Sequence, residues 1–139
     1  MAPDIFIILT TISILKEKKL DTLSVALRSD GLAGVRVAGN SEVDVPHVKQ
    51  IVDALGELGD GKKFPLLIVV GEYTLPTPEA RAYIATAESD PYASAEAYVV
   101  KSVSQRLVGN VFISFNKPAR PTKIFNDEQK AVEWLKAFL

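Results

Sequence analysis

Short runs of β-branched and apolar residues alternate along this chain with segments whose apolar positions fall three or four residues apart. After residue 64 the alternation occurs three times. The pairs are Leu66–Val70 with Thr77–Glu88, Ala95–Val100 with Ser102–Phe115, and Thr122–Phe125 with Asp127–Leu139. Each is a short apolar run, a polar capping residue and an amphipathic helix, which predicts a parallel or mostly parallel sheet with helices packed on it. Leu66–Val70 contains no polar residue, so it should be covered on both faces and lie inside the sheet. Earlier in the chain, Leu23–Arg28 and Leu32–Val37 flank Ser29-Asp30-Gly31 and read as a hairpin. Alternation puts Leu23, Val25 and Leu27 on its core side. Residues 38–44 read as a loop.

The helices carry their own start and stop signals. Val45–Leu58 has one apolar stripe, Val48, Ile51, Val52, Leu55 and Leu58. Asp44 is its expected cap and Pro46 suits its first turn. Gly59 and Gly61 are expected to supply a left-handed stop. Thr77 should cap the next helix, with Pro78 and Glu79 in the first turn and Ala80, Tyr83, Ile84 and Ala87 as the buried stripe. Val103, Leu107, Val111 and Phe115 fall near helical spacing, interrupted by Gly109-Asn110. Asn126 opens the last helix with Gln129 at capping-box spacing. Its apolar face is Ala131, Val132, Leu135, Phe138 and Leu139, with Trp134 at the edge.

The amino-terminal run Ile5–Leu15 is too short for a membrane-spanning helix. It also lacks the charge pattern and small-residue site of a secretion signal, since Asp4 precedes it and Lys16-Glu17-Lys18-Lys19 follows. Its isoleucines and threonines favour a strand paired with the sheet edge or with a second subunit. We therefore expect residues 1–20 to form an added extension and residues 21–139 the domain, with a cytoplasmic location and no stable membrane insertion.

Sixteen basic and seventeen acidic residues among 139 leave a net charge of -1, which supplies no global attraction for nucleic acid. The chain has no cysteine and one histidine, His47. Thiolate chemistry, disulfides and multi-histidine metal sites are thereby excluded, and no cofactor is expected. His47 reads as an exposed residue of a first helical turn. The acid pairs Glu57 with Asp60 and Glu88 with Asp90 read as solvated helix ends, and Asp127 with Glu128 as dipole partners. No nucleophile–base pair can be named, so the expectation is a non-enzymatic protein.

Two places carry more interest. The first is the connection Glu72-Tyr73-Thr74-Leu75-Pro76-Thr77, at the carboxyl end of the central strand and the start of a helix. Partners and ligands gather at such places in open α/β sheets, and a phosphate on Thr74 or Thr77 would meet the positive end of the helix. The second is the basic segment holding Lys101, Arg106, Asn116, Lys117, Arg120 and Lys123, for which solvation is an adequate account and an anionic partner the sharper one.

Several segments resemble the small bacterial STAS-like (SpoIIAA-like) proteins related to the anti-sigma-factor antagonists. They are the hairpin, the helix ending in Gly61-Lys62-Lys63, the strand Phe64–Val70, and Pro78-Glu79-Ala80-Arg81. Next come Ala97-Tyr98-Val99-Val100-Lys101-Ser102 and Val108-Gly109-Asn110-Val111-Phe112. Last are Ile124-Phe125-Asn126-Asp127-Glu128 and Ala131-Val132-Glu133-Trp134-Leu135. The resemblance spans about residues 22–139. It implies a single-domain α/β fold, with a four- to five-stranded mixed sheet and about four helices mainly on one face, plus the extra amino-terminal strand. It also implies a partner-binding module, switched in the better-known branch by phosphorylation at the helix after the central strand. Glu72, Tyr73, Thr74, Thr77 and Arg81 are the corresponding candidates here, with a protein partner and a homodimer expected. This chain has Leu75-Pro76-Thr77-Pro78 where that branch carries an Asp-Ser-Ser-Gly type signature. A sister branch binds lipids in an apolar cavity, which makes a carrier of a lipid or acyl chain the alternative.

Overall fold

The computed structural model describes residues 12–139. One six-stranded sheet runs through it. Its members are β1 (Ile14–Lys19), β2 (Leu23–Arg28), β3 (Ala33–Val37), β5 (Phe64–Val70), β7 (Ala93–Val99) and β8 (Thr122–Phe125), in that spatial order. β1, β2 and β3 are antiparallel neighbours, and β3, β5, β7 and β8 are parallel. A short parallel pair, β4 (Glu42–Val43) and β6 (Leu75–Pro76), lies apart from it. It occupies part of the segment expected to be a plain loop. The helices are α1 (Val45–Leu58), α2 (Pro78–Ala85), α3 (Val103–Val111) and α4 (Glu128–Leu135).

The mixed sheet and helix count follow the expected class, and the sheet is larger than a four- to five-stranded one because β1 joins it. The added strand lies further along than expected. It is built on the charged Lys16–Lys19 stretch, and most of Ile5–Leu15 lies outside the described residues. β1 is an edge strand, and edges tolerate alternating charge because one flank faces water and lysines discourage further pairing.

β5 is interior, as an all-apolar strand must be when both its faces are covered. On one face Leu66 and Ile68 join Val25, Val35 and α1's Leu55 in one core cluster. On the other, Leu67 joins Ala95, Ala97, Ala131 and Leu135 beneath α4. α1, α2 and α3 share the first face and α4 covers the second.

Capping residues start the helices. Asp44 accepts from the Val45 amide at 2.8 Å, and the Asp44 amide donates to His47 Nδ1 at 3.0 Å, completing a capping box. His47 thus has a structural partner instead of standing free on the helix surface. Ser102 and Gln105 form a second box at α3. Asp127, one residue after the expected Asn126, caps α4. The left-handed stop after α1 falls on Asp60 and Gly61, at φ of 52° and 76°. Gly59 stays at φ −90° and is small because a Cβ there would strike the Phe64 ring.

Two helical stripes differ from expectation. Ala87 is exposed, since α2 ends at Ala85 and a single 3-10 turn follows. In α3 the stripe Val103, Leu107 and Val111 points outward with Phe115, while Gln105 and Phe112 are buried. The apolar rhythm was real, but it marks the outer side.

Candidate functional site

A cavity of about 120 Å³ lies between the sheet and its three-helix face. α1 contributes Val48, Ile51 and Val52, α3 contributes Val108 and Gly109, and Phe112 follows from the turn after α3. β5 forms the floor with Leu66, Ile68 and Val70. Gly109 allows α3 to approach β8 closely, because a Cβ there would come within 3.1 Å of Ile124. The walls are apolar because the residues are those of three amphipathic helices and a fully apolar strand.

The lining is not wholly apolar. Glu96, Tyr98, Asp90, Ser89 and Arg81 also belong to it. β7 alternates, so Ala95, Ala97 and Val99 pack under α4 while Glu96 and Tyr98 turn to the cavity face. Glu96 is only 3% exposed. Tyr98 donates its hydroxyl to Glu96 Oε1 at 2.7 Å, and Arg120 Nη1 meets Glu96 Oε2 at 3.3 Å. Arg120 also donates to the carbonyls of Ile84 and Thr86 at 3.0 Å each, and to that of Asp90 at 3.4 Å. One guanidinium fork therefore ties the end of α2, the turn before β7 and β7 itself together.

Burial pushes the Glu96 carboxyl up to about 7, against the opposing pull of Arg120 and of the Tyr98 hydrogen bond, with nearby Asp90 adding to the rise. Arg120 offsets only part of the cost because its donors are spread over several carbonyls. Burial likewise raises the Asp90 carboxyl. It also raises the Tyr98 phenol, to which neighbouring Glu96 contributes. Arg81 donates from Nη1 to the Pro76 carbonyl at 3.2 Å, but its buried Nε has no partner among the described residues.

The connection after β5 is clamped. Thr74 is 1% exposed, donates to the Ala38 carbonyl, and accepts from the Ser41 amide at 3.1 Å. Gln105 Nε2 donates to the carbonyls of Gly71 at 2.8 Å and Thr74 at 2.9 Å. Gly71 and Gly39 bring two backbones so close that a Cβ on either would overlap the other segment. Thr77 caps α2 by accepting from the Ala80 amide at 3.0 Å and donates to Asp44 at 2.9 Å. The Thr74 hydroxyl is withdrawn from solvent, and the Thr77 hydroxyl faces a carboxylate, the wrong neighbour for a phosphate. Glu72, Tyr73 and Glu79 stay exposed, with Tyr73 at φ 67°. Arg81 turns to the cavity instead of joining them on the surface.

The basic segment is likewise divided. Arg120 is buried in the Glu96 pair, while Lys101, Arg106, Lys117 and Lys123 are exposed. Of the acids read as solvated, Glu88 is exposed and Asp90 is buried. The sequence reading passed over Glu96. An available signal was the logic applied to β5: a strand inside a parallel sheet is covered on both faces, so an acid in β7 must be buried and partnered.

The family model described as Domain of unknown function (DUF7793) matches residues 26–139. No curated protein is a significant match. Among solved structures, the chain is similar to an uncharacterised protein of the DUF3478 family with a SpoIIAA-like fold, from Shewanella loihica PV-4. The TM-score is 0.52 at 16% identity, covering 89% of this chain and 93% of that one. That likeness supports the SpoIIAA-like, STAS-type fold. Among the described residues no helix is long and apolar enough to cross a membrane.

Proposed function

We propose that this chain, which belongs to the DUF7793 family, is a non-enzymatic binding protein for a small, neutral, largely apolar molecule. The observation that carries the reading is the apolar cavity of about 120 Å³, whose lining includes buried Glu96 and half-buried Tyr98 and Arg81. An engineered apolar cavity of about 150 Å³ holds benzene, so this one suits a body of that size; a full acyl chain needs more room. Two acids, Asp90 and Glu96, line the cavity together with Arg81, while Arg120 holds Glu96 and the Asp90 carbonyl. A ligand carboxylate would face the two acids, whereas a hydroxyl or carbonyl can accept from the free Arg81 Nε and needs no counter-charge.

Benzyl alcohol and hexanoate are suitable probes. Methyl resonances of Ile68 and Val108 should shift saturably with benzyl alcohol and not with hexanoate at pH 8. Val108→Phe, which fills the space, should abolish the shifts while leaving cooperative thermal unfolding in place. Non-saturable shifts, or the same Ile68 shift in Val108→Phe, would remove the proposal.

A protein partner at the Glu72–Glu79 connection is a second reading, favoured by Tyr73. This large side chain is 67% exposed and held at φ 67°, a conformation uncommon for its type. Because Thr77 faces Asp44, such binding would proceed without a phosphate switch. Equal recovery of partners by wild type and Tyr73→Gly in a pull-down would dismiss it.

A further inference from the structure

We infer that the outer side of α3 docks on an anionic lipid surface. Val103, Leu107 and Val111 recur every fourth residue and therefore stack along one side of the helix. Phe115 follows in the π-helical turn Phe112–Asn116. Their exposures are 77%, 60%, 47% and 79%. The inner side of the same helix already has its contacts: Gln105 is hydrogen-bonded to the β5 connection, and Val108 and Phe112 line the cavity. Nothing in the core needs the outer four. A continuous apolar row on the surface marks an interaction site. Gln105 binds the carbonyls on both sides of Glu72 and Tyr73, so these two exposed residues, one acid among the flanking cations and one aromatic, lie in the connection fastened to α3.

Charge identifies the occupant. From residue 97 to residue 126 the sequence has no aspartate or glutamate. Exposed Lys101, Arg106 and Lys117 lie before, along and after the apolar row. Arg120 is engaged with Glu96. Lys123 lies over the Phe125 ring, which packs with Trp134 on the α4 side of the sheet; neither belongs to this surface. Apolar side chains flanked by cations are what a helix needs to lie in the headgroup region of an acidic bilayer. The chain's net charge of -1 does not oppose this, because fields are screened within about 8 Å at physiological salt. A second copy packed on the same row would oppose like cations across a two-fold axis.

The test uses the full chain and vesicles of phosphatidylcholine with or without about one third phosphatidylglycerol. The chain should sediment with the acidic vesicles, with roughly tenfold weaker partitioning to neutral ones and at about 0.5 M salt. The double variant Leu107→Asp, Phe115→Asp should lose about tenfold or more, and Arg106→Glu should weaken binding. These side chains are exposed, so circular dichroism and thermal unfolding should match wild type. Equal partitioning to neutral vesicles, or no loss in the double variant, would overturn the inference. So would a dimer in light scattering that Phe115→Asp dissolves, since it would assign the row to a second copy. Retention on polyglutamate that matches the vesicle binding and survives the double variant would reduce the effect to charge, and also overturn it. Benzyl alcohol binding without vesicle binding would remove this inference alone and leave the cavity reading in place.

Discussion

Glu96 is buried with its carboxyl pushed up to about 7, which couples the stability of this fold to pH. An acid that holds its proton more tightly folded than unfolded contributes to stability at low pH, and the contribution is lost as pH rises through the folded value. For Glu96 the window runs from the ordinary glutamate value of 4.5 to about 7, and the loss across it is about 3 kcal/mol. Asp90 is shifted in the same direction. The urea-unfolding free energy should therefore be lower at pH 8 than at pH 5, and Glu96→Gln should flatten most of that slope. An unchanged slope in the variant would mean that other groups set it. The burial of Glu96 was legible from its place in β7, but its surroundings were not. Asp90 sits beside turn residues and looked solvated, and Arg120 lay in a run of exposed cations. Burial of both depends on Arg120, in the connection before β8, reaching the end of α2 and the turn before β7, contacts between residues thirty or more apart in sequence.

At the level of elements, Gln105 fastens one helix to one loop. Its side chain caps α3 through the amides of Lys101 and Ser102 and, from its other end, satisfies the carbonyls of Gly71 and Thr74. Gln105→Leu leaves these buried groups unpaired and should cost about 2–3 kcal/mol. Amide exchange at Gly71–Thr74 should rise with it, beyond any change at β3. Local chemistry is why the helix starts were readable: Asp44, Thr77 and Ser102 cap from within a few residues of sequence. The side on which α3 faces the protein was not readable. Val108 and Phe112 have the same spacing as Val103, Leu107, Val111 and Phe115, and periodicity alone cannot tell inside from outside. Ile5–Leu15 drew the strand prediction away from Lys16–Lys19 because β propensity weighs side chains and knows nothing of an edge.

Across the whole molecule, α4 is the helix among the described residues that covers the second face of the sheet over β5 and β7. Ala131 and Leu135 are fully buried against Leu67, Ala95 and Ala97. Leu135→Ala should cost about 2–5 kcal/mol, measured by urea denaturation, and should leave the cavity side of the sheet formed. The alternation of strand and helix after residue 64 was sufficient to read this layered arrangement, because each parallel neighbour needs a crossover. The spatial order of the main sheet, β1-β2-β3-β5-β7-β8, is also its order along the chain. During synthesis each new strand therefore emerges beside a partner already laid down, and assembly proceeds from one edge without leaving gaps to be threaded later. α4 follows β8 along the chain and covers the far side of β5 and β7. Until it has been made and has docked, that half-built surface stays greasy and bare.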